Sequence, residues 1–334
     1  MTLSILGMGD SLPGHEITNA FLHERVGLEK GPDWVRSRFG IERRFSVLTN
    51  EYIVETKNRR PSQAIQHARG NGLTPVALGV RAAQRALDCA GVRAEQIGWV
   101  IANDDTPFET IPATAVQIAK ELGVRSGPHC DVNCATSSFA RHLQLLSDMK
   151  ETALPDYVLA VQTGAYTVRT DYAPQSVDGY IWGDGAAAQV LSAKRPGRLR
   201  VRTVVFESDP RGADEIQIDS VGHFVQNGAR VRRFSVRKTC EVFETIARAL
   251  EIDLGEAWTV AHQANYVMQT SVVQHLHLPE ERHLRNVHLQ GNIAAAGCPS
   301  VLAQNWDRFE KGDRIAYAVV GAGLAWGGGC LEVQ

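Results

Sequence analysis

The chain has 334 residues, of which 44% are apolar and 22% charged, so it is long enough for about two fused domains around a large core. This composition excludes a disordered, collagen-like or miniprotein chain. The 35 basic and 37 acidic side chains give a formal net charge of −2, which provides no overall field for attracting a nucleic acid or an anionic membrane. We therefore expect a globular protein with neither a nucleic-acid nor a membrane partner.

The cysteines and the apolar runs bear on the compartment. The six cysteines are scattered through a long chain and the first residues do not resemble a signal peptide, so a disulfide framework is not expected. No apolar run approaches the roughly 20 residues that are needed to cross a bilayer. These features predict a soluble protein of the cytoplasm.

The first predicted elements are a strand over residues 3–12 and a short helix over 18–26. The chain then becomes polar and arginine-rich, and this segment, at about residues 46–72, indicates an insertion rather than an element of the core. Apolar residues at helical spacing predict a helix over 75–90, and β-branched residues predict a strand over 97–102.

The rest of the chain continues this alternation. Further helices are predicted at residues 113–122, 137–149, 236–250, 266–277 and 294–309. Further strands are predicted at residues 157–162, 186–191, 199–207, 258–260, 314–320 and 328–333. Short strands separated by helices are typical of an α/β protein.

A short internal echo indicates a duplication. Arg85-Ala-Leu-Asp88 followed by Trp99-Val-Ile-Ala-Asn103 is repeated as Arg248-Ala-Leu-Glu251 followed by Trp258-Thr-Val-Ala-His262. Two halves of about 160 residues, each with a helix that leads into a buried strand, predict a duplicated α/β domain. We place the halves at residues 1–175 and 176–334, and expect one continuous interface between them because no long linker separates them.

Polar residues at the ends of predicted strands are the candidates for chemistry. His262 and Asn265 follow the strand 258–260 and precede a helix, a usual place for a catalytic imidazole in an α/β protein, although a histidine there can also be structural. Asn292 lies among small residues, where its amide can donate to a bound oxygen or cap a helix.

A third candidate segment, residues 130–139, leaves a strand and opens a helix. A nucleophile there would meet the positive end of the helix dipole, but Thr136 or Ser137 could equally act only as a helix cap. The glycine-rich stretch 321–329 leads into another strand, which argues against a phosphate-binding loop because that needs a helix N-terminus.

Together these motifs resemble 3-ketoacyl-acyl-carrier-protein synthase III and its relatives in the thiolase superfamily. The resemblance runs from about Leu3 to Val333, interrupted mainly by the insertion. The matching motifs are Asp33-Trp34 with Arg38-Phe39-Gly40-Ile41, Trp182-Gly183-Asp184-Gly185, His262-Gln-Ala-Asn265, Gly291-Asn292 and the run from Gly321 to Gly329.

The resemblance implies a thiolase fold, which is a duplicated five-layer αβαβα architecture, and a homodimer. It also implies a Cys-His-Asn site at the junction of the halves, with acyl-CoA or acyl-ACP thioesters as substrates and no permanently bound cofactor. In the family the cysteine is acylated, and the histidine and asparagine then hold the malonyl thioester carbonyl during decarboxylation and condensation. His262 and Asn292 match those two roles.

The sequence departs from the family at the nucleophile. A gapless alignment from Pro112 to Leu143 places Thr136 at the position of the reactive cysteine, and Cys134 lies two residues earlier, about 6.6 Å along a strand. A threonine hydroxyl is the poorer nucleophile, and it would need His262 as a base and form an ester. Three explanations stay open: an engineered replacement of cysteine by Thr136, a natural enzyme that uses a hydroxyl, or a rearranged turn in which Cys134 acts.

The resemblance also assigns substrate contacts. Trp34 and Arg38 match the pair that holds the nucleotide of coenzyme A, and Asn265 belongs to the same binding set. Val267 replaces an arginine that the family often has on the pantetheine side. Ile111 matches the residue that crosses the dimer to bound the acyl pocket, and its small size suits a longer or bulkier acyl chain.

Two further groups of residues, one of arginines and one of histidines, are candidates for binding. Arginines near the predicted mouth are candidates for docking an acyl carrier protein: Arg36, Arg38, Arg43, Arg44, Arg59 and Arg60. The spacing of His275, His277, His283 and His288 does not suit a zinc site, so no metal is expected.

The sequence therefore predicts a ketosynthase III-like condensing enzyme of fatty acid, polyketide or related secondary metabolism that acts on acyl thioesters, with Thr136, His262 and Asn292 as its catalytic residues. The alternatives are an acyltransferase with a hydroxyl nucleophile and a non-catalytic subunit of a heterodimeric ketosynthase. Retention of both His262 and Asn292 favours an active enzyme, because a silent subunit needs neither.

Overall fold

The computed structural model describes residues 2–219 and 222–334. The strands of its first half are β1 (Ser4–Ser11), β2 (His15–Thr18), β3 (Arg43–Ser46), β4 (Trp99–Asp104), β5 (Cys130–Asp131), β6 (Val158–Gly164) and β7 (Gly185–Ser192). The helices of this half are α1 (Asn19–Phe21), α2 (Pro32–Phe39), α3 (Asn50–Thr56), α4 (Pro61–Gly70), α5 (Pro75–Ala90), α6 (Thr114–Leu122) and α7 (Ser138–Asp148).

The second half follows the same plan. Its strands are β8 (Leu199–Ser208), β9 (Ile216–Ile218), β10 (Phe224–Gln226), β11 (Trp258–Ala261), β12 (His283–Leu284), β13 (Arg314–Gly321) and β14 (Ala325–Val333). Its helices are α8 (Gly228–Leu250), α9 (Tyr266–Leu276), α10 (Val287–Gln290) and α11 (Gly297–Gln304). None of the helices within the described ranges is long and apolar enough to cross a membrane.

The large sheet repeats one strand order. It runs β5-β4-β6-β7-β1 and continues as β8-β14-β13-β11-β12. In each group three neighbouring strands are parallel, and the fourth, β7 or β14, is antiparallel to both of its neighbours. The groups join through the pairs Ser4–Arg200 and Ile5–Leu199. The predicted duplication is therefore confirmed, and the echo that indicated it lies on β4 and β11.

Helices cover and separate the two groups of strands. Helices α5 and α6 pack on the first group, α8 packs on β13 and β14 of the second group with α9 beside it, and α7 and α11 lie between the groups. Separate apolar clusters fill the outer layer of the first half, the centre and the outer layer of the second half. This is the predicted five-layer αβαβα arrangement.

Small residues let α5 lie directly on β1. The helix begins at Pro75, capped by the Thr74 hydroxyl, which accepts a hydrogen bond from the nitrogen of Ala77 at 3.1 Å. A Cβ atom at Gly9 of β1 would stand only 2.5 Å from the carbonyl oxygen of Ala82. Glycine therefore permits a close contact that fixes the first strand against the outer helix layer.

The prediction that residues at about 46–72 form an insertion rather than an element of the core is wrong. It forms α3 and α4, and Ile53, Ala64 and Ala68 are fully buried in the main apolar cluster of the first half. The buried Asn58 side chain donates to the carbonyl oxygens of Thr167, Val168 and Thr170 at 2.8–3.0 Å. The few apolar residues of this segment face inward, and its polar composition therefore did not indicate that it belongs to the core.

The sheet order also moves the boundary between the halves. β7 pairs with β1 and β6, so it belongs to the first group although it lies after residue 175. The division falls between β7 and β8, at residues 193–198, rather than at 175/176.

Two helices differ from the predicted bounds. The region 294–309 is broken into a 3₁₀ turn at Ala294–Ala296, helix α11 and a second 3₁₀ turn at Trp306–Arg308. Helix α8 begins at residue 228 rather than 236, because its first turns are polar and exposed and show little apolar periodicity.

Candidate active site

A cavity of about 420 Å³ opens where the two halves meet. Residues that follow β4 and β6 of the first half and β11 and β13 of the second half line it, so it lies at the carboxyl ends of parallel strands, the usual location of sites in α/β folds. The polar side chains that line it include Arg38, Asp105, Asn133, Thr136, Tyr166, Gln217, Gln226, Arg232, Ser235, His262, Asn265 and Asn292. Its volume lies within the range of small-molecule sites.

A sharp turn before α7 directs Thr136 to this cavity. Ala135 has a left-handed φ of 48°, and the turn is closed by hydrogen bonds from the nitrogen of Ser137 to the Cys134 oxygen (3.2 Å) and from the nitrogen of Ser138 to the Ala135 oxygen (3.0 Å). Thr136 lines the cavity, whereas Cys134 is not among the described residues that do. Of the two candidate nucleophiles, the structure brings Thr136 to the site.

The glycine-rich loop after β13 lies against the same turn. A Cβ atom at Gly321 would be 2.9 Å from the nitrogen of Thr136 and 3.1 Å from its Cβ. Glycine is therefore required here for close packing against the turn, and the loop supports the position of Thr136.

His262 reaches the cavity from the end of β11. Its backbone nitrogen donates to the oxygen of Ala318 at 2.8 Å, and three residues later the side-chain oxygen of Asn265 caps α9 by accepting from the nitrogen of Met268 at 2.9 Å. Nδ1 of His262 is buried and has no hydrogen-bond partner among the described residues. Burial lowers the pKa of His262 to about 4, so the ring is neutral at pH 7.

Asn292 is held by the loop that contains Trp182 and Gly183. Its backbone nitrogen donates to the Ile181 oxygen at 2.9 Å, and its carbonyl accepts from the nitrogen of Gly183 at 3.0 Å. Its side-chain oxygen accepts from the nitrogen of Ala294 at 2.9 Å. Since that oxygen is engaged, the side-chain NH₂ group is the part of the amide that remains free to donate in the cavity.

Arg44 stabilises the loop that contains Trp182 and Gly183. Its side chain is fully buried and donates to the Tyr180 oxygen at 2.5 Å and to Oδ1 of Asn19 at 2.7 Å. Burial lowers its pKa to about 10, so it stays charged at neutral pH. The prediction that Arg44 is part of an exposed docking patch is therefore wrong.

Other members of the predicted docking patch are neutralised by neighbours. Arg36 pairs with Asp33 at 2.6 Å and also with Glu42, and Arg43 pairs with Glu16 at 3.1 Å. Arg59 and Arg60 are exposed, and Arg38 is exposed at the mouth of the cavity. The predicted patch is consequently less basic than the sequence indicated.

The predicted binding residues are only partly brought together. Arg38 and Asn265 line the cavity, but Trp34 is not one of the described residues that line it. The Trp34 indole packs against Phe39 and Tyr180, with the ammonium of Lys30 5.9 Å from the ring centroid. Its contact with a nucleotide stays a prediction.

The sequence did not predict several of the polar lining residues, among them Asp105, Tyr166 and Arg232. Tyr166 donates its hydroxyl proton to the Asp105 carboxylate at 2.5 Å, and Asn103 donates to the other carboxylate oxygen at 3.0 Å. The signal for Asp105 was present, because it follows β4 just as His262 follows the equivalent strand β11.

The histidine-rich segment does not form a metal site. His275 and His277 are exposed, whereas His283 is buried and hydrogen-bonded to Thr259 and Gln269. Within residues 2–219 and 222–334, no group of three or more His, Cys, Asp or Glu side chains could hold a metal ion.

Comparison with known proteins gives consistent matches. The sequence model of 3-oxoacyl-[acyl-carrier-protein (ACP)] synthase III matches residues 130–210, and the model of the C-terminal part of that family matches residues 254–333. The beta-ketoacyl-[acyl-carrier-protein] synthase III 3 of Streptomyces coelicolor is 30% identical over 98% of this chain and 96% of its own length.

Solved structures share the fold over the whole chain. The 3-oxoacyl-(acyl carrier protein) synthase III of Pseudomonas aeruginosa has a TM-score of 0.86 and 24% identity, covering 100% of this chain and 99% of that one. The priming beta-ketosynthase of the R1128 polyketide pathway has a TM-score of 0.81 and 26% identity, covering 99% of this chain and 96% of that one.

Proposed function

Since the chain belongs to the 3-oxoacyl-[acyl-carrier-protein] synthase III family of thiolase-fold condensing enzymes, we propose that the hydroxyl of Thr136 accepts an acyl group from a thioester. The acyl group then reacts in a condensation or is transferred to an acceptor. The observation that carries this proposal is the position of Thr136 at a turn facing a cavity that it shares with His262 and Asn292.

The proposed chemistry needs donors for a developing negative charge. His262 is neutral at pH 7 because burial lowers its pKa to about 4, and Asn292 has a free NH₂ group. Two neutral donors can bind a thioester carbonyl and stabilise the enolate that forms on decarboxylation without adding a compensating charge to the site. We assign these roles to His262 and Asn292.

The hydroxyl at position 136 also suits a second activity, acyl transfer to an external acceptor. An oxygen ester at Thr136 is formed by ordinary acyl transfer, so an acyltransferase that passes the acyl group to an external acceptor uses the same first step. A non-catalytic subunit of a heterodimer is the less favoured alternative, since both donors line the cavity with Thr136.

The mouth of the cavity is suited to the phosphate of a phosphopantetheine arm. Arg38 is exposed there and Arg232 is partly exposed, and neither forms an ion pair within the part of the chain that the structure describes. Guanidinium groups bind phosphate through paired hydrogen bonds. We therefore propose acyl-CoA or acyl-ACP thioesters as substrates, with no permanently bound cofactor.

We also propose a homodimer, as in the family that the sequence resembles. Ile111, the residue expected to cross into a partner, is 84% exposed, and Val116 is 40% exposed. A partner subunit that covers these side chains would remove their apolar surface from water.

Acylation of Thr136 can be measured directly by intact-protein mass spectrometry after incubation with an acyl-CoA. The protein is expected to gain one acyl mass that peptide mapping places on Thr136, and Thr136→Val should abolish the gain because it removes the hydroxyl while keeping the shape. Cys134→Ser serves as the matched control and should retain the label. A label that persists in Thr136→Val, or that maps to Cys134, would contradict the proposal.

We expect acyl-ACP to be preferred over acyl-CoA at low ionic strength. An acidic carrier protein can dock on Arg38 and Arg232 at the mouth and on Arg233, the exposed neighbour of Arg232 in the chain. Attraction between such charges is screened by salt. Competition assays with and without added salt measure the preference. Arg233→Gln should reduce it, and Arg81→Gln, an equal change of charge on the outer helix α5, should not.

Equal use of both donors at low salt would rule out this docking surface, and so would a carrier preference that salt leaves unchanged. Neither result would affect the assignment of Thr136.

A further inference from the structure

A carboxylate lines the same cavity as the hydroxyl that we propose as the nucleophile. Of the described residues that line the cavity, only Asp105 carries a carboxylate. We propose that Asp105 is the general base that takes the proton from Thr136 during acylation. This inference rests on the proposed function, because it concerns the activation of the same hydroxyl.

The carboxylate of Asp105 is held in place from two sides. The Tyr166 hydroxyl donates to Oδ2 at 2.5 Å, and Nδ2 of Asn103 donates to Oδ1 at 3.0 Å. The Tyr166 ring is itself fixed by stacking on Trp182, with ring centroids 5.0 Å apart. A carboxylate has about four acceptor positions, so each oxygen keeps capacity for a further donor from the cavity.

The same hydrogen-bond network reaches the turn that carries Thr136. Nδ2 of Asn103 also donates to Oδ1 of Asn133 at 2.6 Å, and that oxygen accepts from the nitrogen of Ala135 at 3.1 Å. Ala135 has the left-handed φ of 48° and immediately precedes Thr136. The positions of the carboxylate and of the nucleophile are therefore set by one connected group of side chains.

His262 is another titratable group that lines the cavity, and the sequence predicted that it would act as the base for Thr136. Burial lowers the pKa of His262 to about 4, and its buried Nδ1 has no partner among described residues to stabilise an imidazolium. Burial raises the pKa of Asp105, with hydrogen bonds from Tyr166, Asn103 and Asn133 opposing the increase. Burial thus makes the Asp105 carboxylate more basic and the His262 ring less basic, which favours Asp105 as the proton acceptor and leaves His262 as a donor.

The charge of Asp105 acts in opposite ways on a thiol and on a hydroxyl at the turn. Asp104 precedes it in the chain, Cys134 lies on the turn and Tyr166 follows β6. The positive charges of Arg141 and Arg169 act on the neighbouring Cys134 and Asp104, and His262 lines the same cavity. Burial raises the pKa of Cys134, Arg141 opposes that increase and Asp105 adds to it. A fixed anion opposes formation of a thiolate, but it assists a nucleophile that must lose its proton during attack.

During acylation the proton of Thr136 passes through Asp105 to the leaving group. Oγ1 of Thr136 attacks the thioester carbonyl carbon while its proton moves to the Asp105 carboxylate. The carbon–sulfur bond then breaks, and the leaving thiolate takes the proton from Asp105. The products are an acyl ester on Thr136 and a free thiol, with Asp105 again ionised.

A double-mutant cycle at positions 105 and 136 tests this role. Asp105→Asn should slow acylation of Thr136 by about 10²-fold or more, the usual contribution of a general base. In the Thr136→Cys background the same change should leave acylation unchanged or faster, because a thiol ionises without that base and an anion has been removed. Rates are followed by intact-protein mass with an acyl-CoA.

The pH dependence provides a second readout. The acylation rate of the chain with Thr136 should rise as pH increases through the pKa of Asp105, because only the ionised carboxylate accepts a proton. Tyr166→Phe removes a hydrogen bond that lowers this pKa, so the rising limb should move to higher pH while the stacked ring is kept.

The outcomes separate this inference from the proposed function. Acylation of Thr136 that is insensitive to Asp105→Asn, or an equal loss with Thr136 and with Cys at position 136, would overturn the role of Asp105 alone. Absence of acyl mass from all four proteins of the cycle would overturn the proposed function and this role together.

Discussion

Thr136→Cys is expected to be acylated by a thioester about 10²-fold faster than the chain with threonine, or faster still. A hydroxyl remains protonated until it attacks and depends on a base that contributes roughly 10²–10⁴-fold, whereas a thiol at a helix N-terminus is partly ionised beforehand. The turn that presents position 136 is built from backbone hydrogen bonds and a left-handed Ala135, so the substitution leaves its geometry in place.

Single-turnover acylation of both proteins, quenched and measured by intact mass, gives the ratio of the two rates. Thr136→Cys combined with Cys134→Ser is the matched control, and it should retain the full increase. If the faster label maps to Cys134, or if the increase disappears in the double variant, the gapless alignment that selected position 136 is wrong.

Much of the fold could be predicted because its signals are local. The helix over 75–90 has a capping threonine, a proline at its first position and a left-handed glycine at its end, and the structure has the same bounds. The strands that form the sheet are short apolar runs between helices, and the echo between the two halves lies on β4 and β11. Such features require no knowledge of which strands pair.

The errors in the fold arise from pairings between distant residues. β7 was placed in the second half because it follows the predicted boundary, but it pairs with β1, for example through Gly9 and Ala188. Similarly, the buried role of Asn58 depends on carbonyl oxygens more than a hundred residues away. No local pattern reports such contacts.

Arg44 shows how a local pattern can also be overlooked. In the arginine-rich stretch around it, Arg43 and Arg44 look equivalent, and both were assigned to a docking surface. They lie on β3, where successive side chains alternate between faces, so Arg43 is half-exposed and pairs with Glu16 whereas Arg44 is buried beneath the site. No strand was predicted from the sequence at β3, so the alternation of its side chains between two faces was not recognised.

The candidate site was predicted to the extent that its residues follow strands. Thr136, His262 and Asn292 line one cavity, as expected. Asp105 was missed although it follows β4, because a run of polar residues after a strand is also typical of a solvated loop. Only the bonds from Tyr166 and Asn103 distinguish a fixed carboxylate from an exposed one.

Loss of either proposed donor should slow condensation strongly. In the readily acylated Thr136→Cys background, His262→Ala and Asn292→Ala are each expected to lower the rate of β-keto product formation by about 10²–10³-fold, the usual effect of removing one preorganised donor. Formation of the acyl-enzyme should fall less, because the donors act chiefly on the carbonyl of the second thioester. Product formation and acyl mass are measured on the same samples.

Met268→Leu is the matched control, since Met268 lines the cavity but its side chain has no hydrogen-bond donor, and a volume-conserving change should alter the rate little.

The structure makes the two donors unequal in one respect. Asn292 is positioned through its backbone and its side-chain oxygen, so Asn292→Ala removes the donor and the contact with Ala294, whereas His262→Ala removes a ring whose Nδ1 has no partner among the described residues. Exogenous imidazole should therefore restore part of the activity of His262→Ala and none of that of Asn292→Ala. Undiminished product formation in either alanine variant would show that the carbonyl is held by other groups.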